Sequence, residues 1–298
     1  MANYFSIFLV ILTVVSGLIW LVDAKVFAPQ RREKFAAANN GHPLPDGAEL
    51  PIPYIVDTAQ QIFPVIAFVL ILRSFLYEPF QIPSGSMKPT LLVGDFILVE
   101  KFAYGLKDPV ARYKFFDTGE PQRGDVVVFK FPKDERLDYI KRVVGLPGDT
   151  IRYSKKELFI KPACPSNENC LAEYKVEHTL LGAAQSDGEL VNKLTEKLGE
   201  VEHNIYTNPR ALEMRGRYFK QPRTPLGKWV VPAGHYFVMG DNRDNSEDGR
   251  YWGFVSDDLL VGKAVAIWIS FEFERSSSSF LPSWVPTGVR FDRVGGIE

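Results

Sequence analysis

Apolar side chains run almost unbroken and without a formal charge over residues 4–22, and a weaker apolar run covers residues 58–76. The first run has the length a helix needs to cross the hydrocarbon core of a bilayer. A cleavable leader would carry a basic residue ahead of a shorter apolar stretch, so the run reads as a retained transmembrane helix. The second run holds Pro64, starts beside Gln60 and Gln61 and ends near Arg73. Proline is tolerated in membrane helices and a terminal arginine reaches the interface, which predicts a second span. An amphipathic or buried helix of the following domain is the alternative. From Phe80 onward the period shortens to that of strands separated by turns. Phe96-Ile97-Leu98-Val99 follows Val93-Gly94-Asp95, Val126-Val127-Val128-Phe129 follows Arg123-Gly124-Asp125, and Leu146-Pro147-Gly148-Asp149 precedes Thr150-Ile151-Arg152-Tyr153. Trp229-Val230-Val231, His235 to Met239 and Ala264 to Ile269 continue the pattern. This spacing predicts a mostly β domain, barrel or sandwich-like.

The expected organisation is a short outer tail (1–3), a transmembrane helix (4–22), a cytoplasmic loop (23–57), a second transmembrane helix (58–76), a β domain built from 77–150 and 230–298, and an inserted β-rich subdomain (151–229). Lys25, Arg31, Arg32 and Lys34 lie between the two apolar runs, whereas the tail before the first has no basic side chain. The positive-inside rule then places this loop in the cytoplasm and everything after about residue 77 outside. Residues 35–53 read as a flexible connector rich in Ala, Asn, Gly and Pro. Residues 172–225 form a variable polar segment with a helix expected near 189–198, and no chemistry is assigned to them.

Charges nearly cancel, with 35 basic and 36 acidic side chains. No basic stripe interleaves with aromatics, so nucleic acid is not an expected partner. Cys164 and Cys170 have no second pair and no nearby histidine, which argues against zinc. They are two spare thiols or a disulfide, and placement outside the cytoplasm favours the disulfide. The Arg-Gly-Asp triplet at Arg123 reads as a hairpin turn. His42, His178, His203 and His235 are scattered, and none stands beside an evident acid and nucleophile, which weakens any Ser-His-Asp proposal.

Lys141 sits in the run Leu137-Asp138-Tyr139-Ile140-Lys141-Arg142-Val143-Val144-Gly145, where a period of two aligns Tyr139, Lys141 and Val143 on one face. If that face is buried, the ammonium is disfavoured, the pKa falls and the neutral amine becomes a base. The bland alternative is a lysine that snorkels to the surface. A base of this kind needs a nucleophile, and Pro83-Ser84-Gly85-Ser86-Met87-Lys88-Pro89-Thr90 offers two serines around a glycine. A third stretch, Gly240-Asp241-Asn242-Arg243-Asp244-Asn245-Ser246-Glu247-Asp248-Gly249-Arg250-Tyr251-Trp252-Gly253, is a multi-turn loop whose hydroxyl and carboxylates can orient a lysine.

Together these three stretches resemble bacterial signal peptidase I, the membrane-anchored leader peptidase. Tyr77-Glu78-Pro79-Phe80-Gln81-Ile82-Pro83, the segment from Gly94 to Gly105, and Gly145-Leu146-Pro147-Gly148-Asp149 extend the resemblance over most of the chain, least over 172–225. It implies two N-terminal transmembrane helices followed by a mostly-β periplasmic catalytic domain of the signal peptidase and repressor-peptidase type, anchored in the bacterial cytoplasmic (inner) membrane. The activity implied is removal of signal peptides from exported preproteins by a Ser-Lys pair, with no metal and no organic cofactor. The expected partners are those signal peptides and the phospholipid bilayer, with the export translocase left open as a third. By motif position Ser86 is the expected nucleophile and Lys141 the general base. Ser246 is expected to hydrogen-bond the amine, Asp248 and Arg250 to form a supporting ion pair, and the Ser86 N–H with the Ser84 hydroxyl to hold the oxyanion. Gly249 stands where relatives commonly have serine, which puts one local hydrogen bond in doubt.

Ser86 follows the second apolar run by about ten residues, which ties it within about 35 Å of the bilayer surface even when extended. An extended substrate is expected to add as a strand between 81–83 and 138–140. By resemblance Phe80, Ile82, Pro83, Leu91, Ile97, Val128, Tyr139 and Ile140 are candidate pocket walls, with ordinary core packing as the alternative for each. Trp268, Phe271, Phe273, Phe280 and Trp284 either dip into the membrane interface or pack in the core. Two other readings remain open at this point: a non-catalytic anchored module that captures extended peptides, and a self-cleaving Ser-Lys protein. The membrane runs and the lack of a DNA-binding region argue against the second.

Overall fold

The computed structural model describes residues 2–39, 50–164, 170–273, 282 and 285–297. Its contacts divide the chain into two units, Met1–Leu76 with Lys107–Tyr113, and Tyr77–Leu106 with Lys114–Glu298.

The first unit is helical. Helix α1 (Ala2–Val22) passes through a π-turn (Asp23–Phe27) into α2 (Ala28–Ala38), and α3 (Tyr54–Ile71) ends in a second π-turn (Leu72–Leu76). Phe5–Ala38 and Tyr54–Leu76 are each long and apolar enough to cross a membrane. The segment after residue 22, expected as loop, is helical as far as Ala38. Pro29 does not stop it, because the π-turn just before it changes the hydrogen-bond ladder where the proline N–H is missing. Arg31 also clamps Asp23 with two hydrogen bonds of 2.6 and 2.8 Å across that stretch. Helices α1 and α3 pack closely at Gly17, where a Cβ would stand 2.7 Å from the Phe63 ring. Trp20 covers the same ring at a centroid distance of 5.5 Å. A small residue at a helix contact is the usual device where lipid offers no hydrophobic drive.

The second unit is built on one antiparallel sheet. Its main path holds β1 (Tyr77–Gln81), β2 (Asp95–Glu100), β3 (Val126–Phe131), β4 (Asp134–Gly145), β12 (His235–Met239), β13 (Val255–Ser256) and β14 (Leu260–Glu272), in the order β1-β2-β14-β3-β4-β12-β13, and two short strands, Gly288–Val289 and Gly295–Gly296, also pair with β14. Between β4 and β12 the chain forms two smaller sheets. One pairs β5 (Thr150–Ser154), β6 (Glu157–Lys161) and β7 (Tyr174–Lys175) with β11 (Lys228–Val230). The other is a meander of β8 (His178–Ser186), β9 (Glu189–Leu198) and β10 (Val201–Thr207). The helix expected near 189–198 is therefore strand β9, buried at Val191, Glu196 and Leu198. Leu190, Leu194 and Leu198 repeat every four residues and imitate a helical stripe, but pairing on both edges decides the conformation.

Ile82, Met87, Leu91, Ile97, Val99, Val126, Val128, Ile140, Ala264 and Ile267 form one core beneath the large sheet. Cys164 and Cys170 are joined in a disulfide. Trp268 is half exposed and meets Phe96 edge to face, as does Phe271. Phe280, Trp284 and His42 lie outside the described residues.

Candidate active site

The large sheet and the turns at its end bring the three sequence stretches together. Strand β4 runs from solvent into the core, so its first residues are exposed while 140–145 are buried. Lys141 is carried into that buried half and retains 4% of its exposure. Its Nζ lies 2.8 Å from Ser86 Oγ, 2.8 Å from the Ile140 carbonyl oxygen and 5.4 Å from the centre of the Tyr139 ring. Burial is the dominant influence on the amine and lowers its pKa to about 8. Asp248, Asp241 and Glu247 pull the other way and restore only part of the proton affinity.

Two of those carboxylates are already committed to arginines. Asp248 accepts from Arg250 Nε at 2.8 Å and Nη2 at 2.9 Å, and also from the Gly240 N–H at 3.0 Å. Asp241 accepts from Arg142 Nε at 2.9 Å and Nη2 at 2.8 Å, and from the Thr90 hydroxyl. Burial raises the pKa of each carboxyl, but the arginine charge and hydrogen bonds prevail and both sit below the usual range. With their charges balanced by arginines, they leave the lysine largely to the effect of burial.

The backbone at Ser86 is fixed from the same loop. Asn242 N–H donates to the Ser86 carbonyl at 3.0 Å, and Asn242 Nδ2 donates to the Gly85 carbonyl at 3.0 Å. Gly240 has no room for a side chain, since a Cβ there would meet Ser246 Oγ at 2.2 Å and the Ser86 carbonyl at 2.5 Å. Ser84 Oγ stands 3.5 Å from Ser86 Oγ. The resulting cleft of about 250 Å³ is lined by Ser84, Gly85, Ser86, Tyr139, Lys141, Asn245 and Glu247.

One expectation needs correction. Ser246 Oγ is buried but makes no hydrogen bond to Lys141, whose amine is held instead by Ser86 and the Ile140 carbonyl. Of the expected pocket walls, only Tyr139 lines the cleft itself. Ile82, Leu91, Ile97, Val128 and Ile140 belong to the core with Met87, Phe80 packs against that core, and Pro83 is exposed.

Several residues at the site escaped the sequence reading. Arg142, Asn242 and Arg243 lie within the stretches already quoted, where their density of hydrogen-bonding groups was the signal. Glu196 gave none. It is fully buried, accepts from both Nη atoms of Arg243 and lies 2.7 Å from His178 Nε2 and 3.3 Å from His203 Nε2. Two histidines therefore do stand beside a carboxylate, although Ser86 takes its close contact from Lys141. The nearby positive charge of Arg243 and the hydrogen bonds overcome burial and hold the Glu196 carboxyl well below its ordinary pKa.

The sequence profile of the family described as "Signal peptidase, peptidase S26" matches residues 55–269. The chain is similar to the signal peptidase I of Pseudomonas fluorescens, 46% identical with all of both chains covered. It is likewise 46% identical to that of Pseudomonas aeruginosa, over 96% of this chain and 98% of the relative. A solved signal peptidase I from Enterococcus faecalis is 26% identical over 48% of this chain and 96% of its own, with a TM-score of 0.25. By the profile match and by identity over its whole length, the chain belongs to the signal peptidase S26 family.

Proposed function

We infer that the chain is an endopeptidase that removes N-terminal signal peptides from exported preproteins, with Ser86 as nucleophile and Lys141 as its general base. The contact that carries this reading is the 2.8 Å approach of a buried amine to the serine oxygen. A serine hydroxyl attacks a peptide carbonyl only when its proton is taken as the bond forms. An amine with a pKa near 8 is neutral in a substantial fraction of molecules at ordinary pH and accepts that proton. The ammonium then protonates the departing amine, and the neutral amine formed again activates water against the acyl-enzyme. The Ser84 hydroxyl and the Ser86 N–H stabilise the oxyanion, each such donor lowering the barrier by about 3 kcal/mol. The Asp248–Arg250 pair supports the loop that holds Gly240.

The backbone favours an extended substrate. Residues 138–140 pair with Lys130, Phe129 and Val128 on one edge, whereas β12 takes the other edge only from Arg142 onward. A peptide strand laid between 81–83 and 138–140 uses that open edge, with the scissile carbonyl reaching Ser86. Small side chains before the cut meet the shallow floor made by Tyr139 and by the core residues behind it.

Lys25, Arg31, Arg32 and Lys34 between the two spanning helices support a cytoplasmic position for that connection. The β domain then lies on the periplasmic side of the inner membrane, with the bilayer and the export translocase as further partners. The test is cleavage of a purified preprotein by the full chain in detergent. Ser86→Ala and Lys141→Ala should each leave the preprotein uncut while still folding, and undiminished cleavage by either removes the assignment.

A further inference from the structure

Glu196 stands in strand β9 of the inserted meander, outside the three stretches that form the active site, yet it is fully buried. Burying a carboxylate is costly unless an opposite charge and hydrogen bonds answer it. The answering charge is Arg243, itself 1% exposed, which donates from Nη1 to Glu196 Oε2 at 2.7 Å and from Nη2 to Oε1. A fork of two bonds fixes the direction of the guanidinium as well as its distance. Its Nε donates in turn to the Gly240 carbonyl at 3.2 Å. His178 and His203 close round the same carboxylate, but Arg243 is the group that joins it to the loop beside Ser86.

Backbone bonds make that connection continuous. The Arg243 N–H donates to the Tyr206 carbonyl at 2.9 Å, and the Tyr206 N–H donates to the Asp241 carbonyl at 2.9 Å. Asn242, whose N–H and Nδ2 hold the carbonyls of Ser86 and Gly85, therefore lies between two residues bonded to β10. Asp241 is also paired with Arg142 of strand β4, so a buried ion pair flanks Asn242 on each side. The bonds run without a gap from Glu196 through Arg243 and Asn242 to the serine backbone. Neither Glu196 nor Arg243 lines the catalytic cleft, so any effect of the pair on cleavage passes through this chain of contacts.

We propose that Glu196 is a positioning residue for the cleavage reaction: acting through Arg243, it holds Asn242 where Asn242 fixes the backbone of Ser86. The proposal rests on the reading of Ser86 as nucleophile. It gives the meander a part in catalysis although none of its residues lines the cleft. A shift of about 1 Å at a reacting atom costs about a hundredfold in rate, and loosening one of two flanking ion pairs is expected to cost about tenfold.

The experiment uses the full chain in detergent with a signal-bearing peptide, and kcat is expressed per folded molecule, the folded fraction being read by tryptophan fluorescence. Glu196→Gln should lower kcat about tenfold while KM changes by less than about twofold. Combined with Asn242→Ala, it should lower kcat by much less than the product of the two single effects, because both act on the same contact. A second variant separates positioning from stability: Glu196→Leu with Arg243→Met removes the buried charges together and should fold about as well as wild type. Its kcat should stay low, and it takes the place of Glu196→Gln in the combination with Asn242→Ala if the single variant does not fold. A wild-type kcat in the folded paired variant, or effects of Glu196 and Asn242 that simply multiply, overturns the positioning role while the Ser86 assignment stands. Undiminished cleavage by Ser86→Ala overturns both.

Discussion

Lys141→Met should make the protein more stable while abolishing cleavage. The side chain is 4% exposed, and burial holds its amine at a pKa of about 8 against an ordinary 10.5. Between those values the folded state binds fewer protons than the unfolded chain, so stability rises with pH through that window. Below a pH of about 8 the full cost is present, and above 10.5 it has gone. At about 1.4 kcal/mol per pKa unit the cost is on the order of 3 kcal/mol. Methionine keeps most of the side-chain length and loses the charge. It also leaves the Ile140 carbonyl without the lysine's hydrogen bond, a loss of about 1 kcal/mol. The expected net gain near neutral pH is therefore about 2 kcal/mol. Guanidinium unfolding of both proteins in detergent, followed by tryptophan fluorescence, measures it. The gap should narrow as the pH approaches 10.5, where wild-type Lys141 no longer pays for burial. A variant less stable than wild type at every pH refutes the claim that folding works against a buried ammonium.

Gly240→Ala places a methyl group on the Ser86 carbonyl and on Ser246 Oγ, so it should reduce kcat by about a hundredfold or more, as expected for a displaced nucleophile; near-normal cleavage by a folded variant would show that the loop yields. Asp241→Asn removes the carboxylate charge that faces the buried Arg142 guanidinium and should cost about 3 to 5 kcal/mol in denaturant unfolding. A loss under about 1 kcal/mol would mean that the pair contributes little beyond its hydrogen bonds.

The pairing of Ser86 with Lys141, proposed here as nucleophile and base, was legible because each sits in a short local pattern: two serines around a glycine before a turn, and one charge within a strand's apolar face. The two apolar helices were legible from length and apolarity, whereas the helical extension to Ala38 was not, because the apolar run that marked the first helix ends at Val22. The loop after Gly240 advertised its turns, but not that Asn242 holds Ser86 or that Asp241 answers Arg142, since those contacts join positions about a hundred or more residues apart. Glu196 was illegible for the same reason. Its arginine is supplied by another part of the chain, and nothing in the alternation of β9 distinguishes an acid that is buried from one facing water. The pocket residues divided between cleft and core because both faces of a central strand are apolar, so pattern alone does not tell which face meets the substrate.

The pH dependence of kcat/KM for cleavage of a signal-bearing peptide tests the central claim most directly. Only the neutral amine of Lys141 serves as base, so the logarithm of kcat/KM should rise with unit slope at acidic pH and level off near pH 8. A break that stays near the 10.5 of an ordinary lysine, or a profile flat across this range, would contradict a buried neutral amine as the base for Ser86.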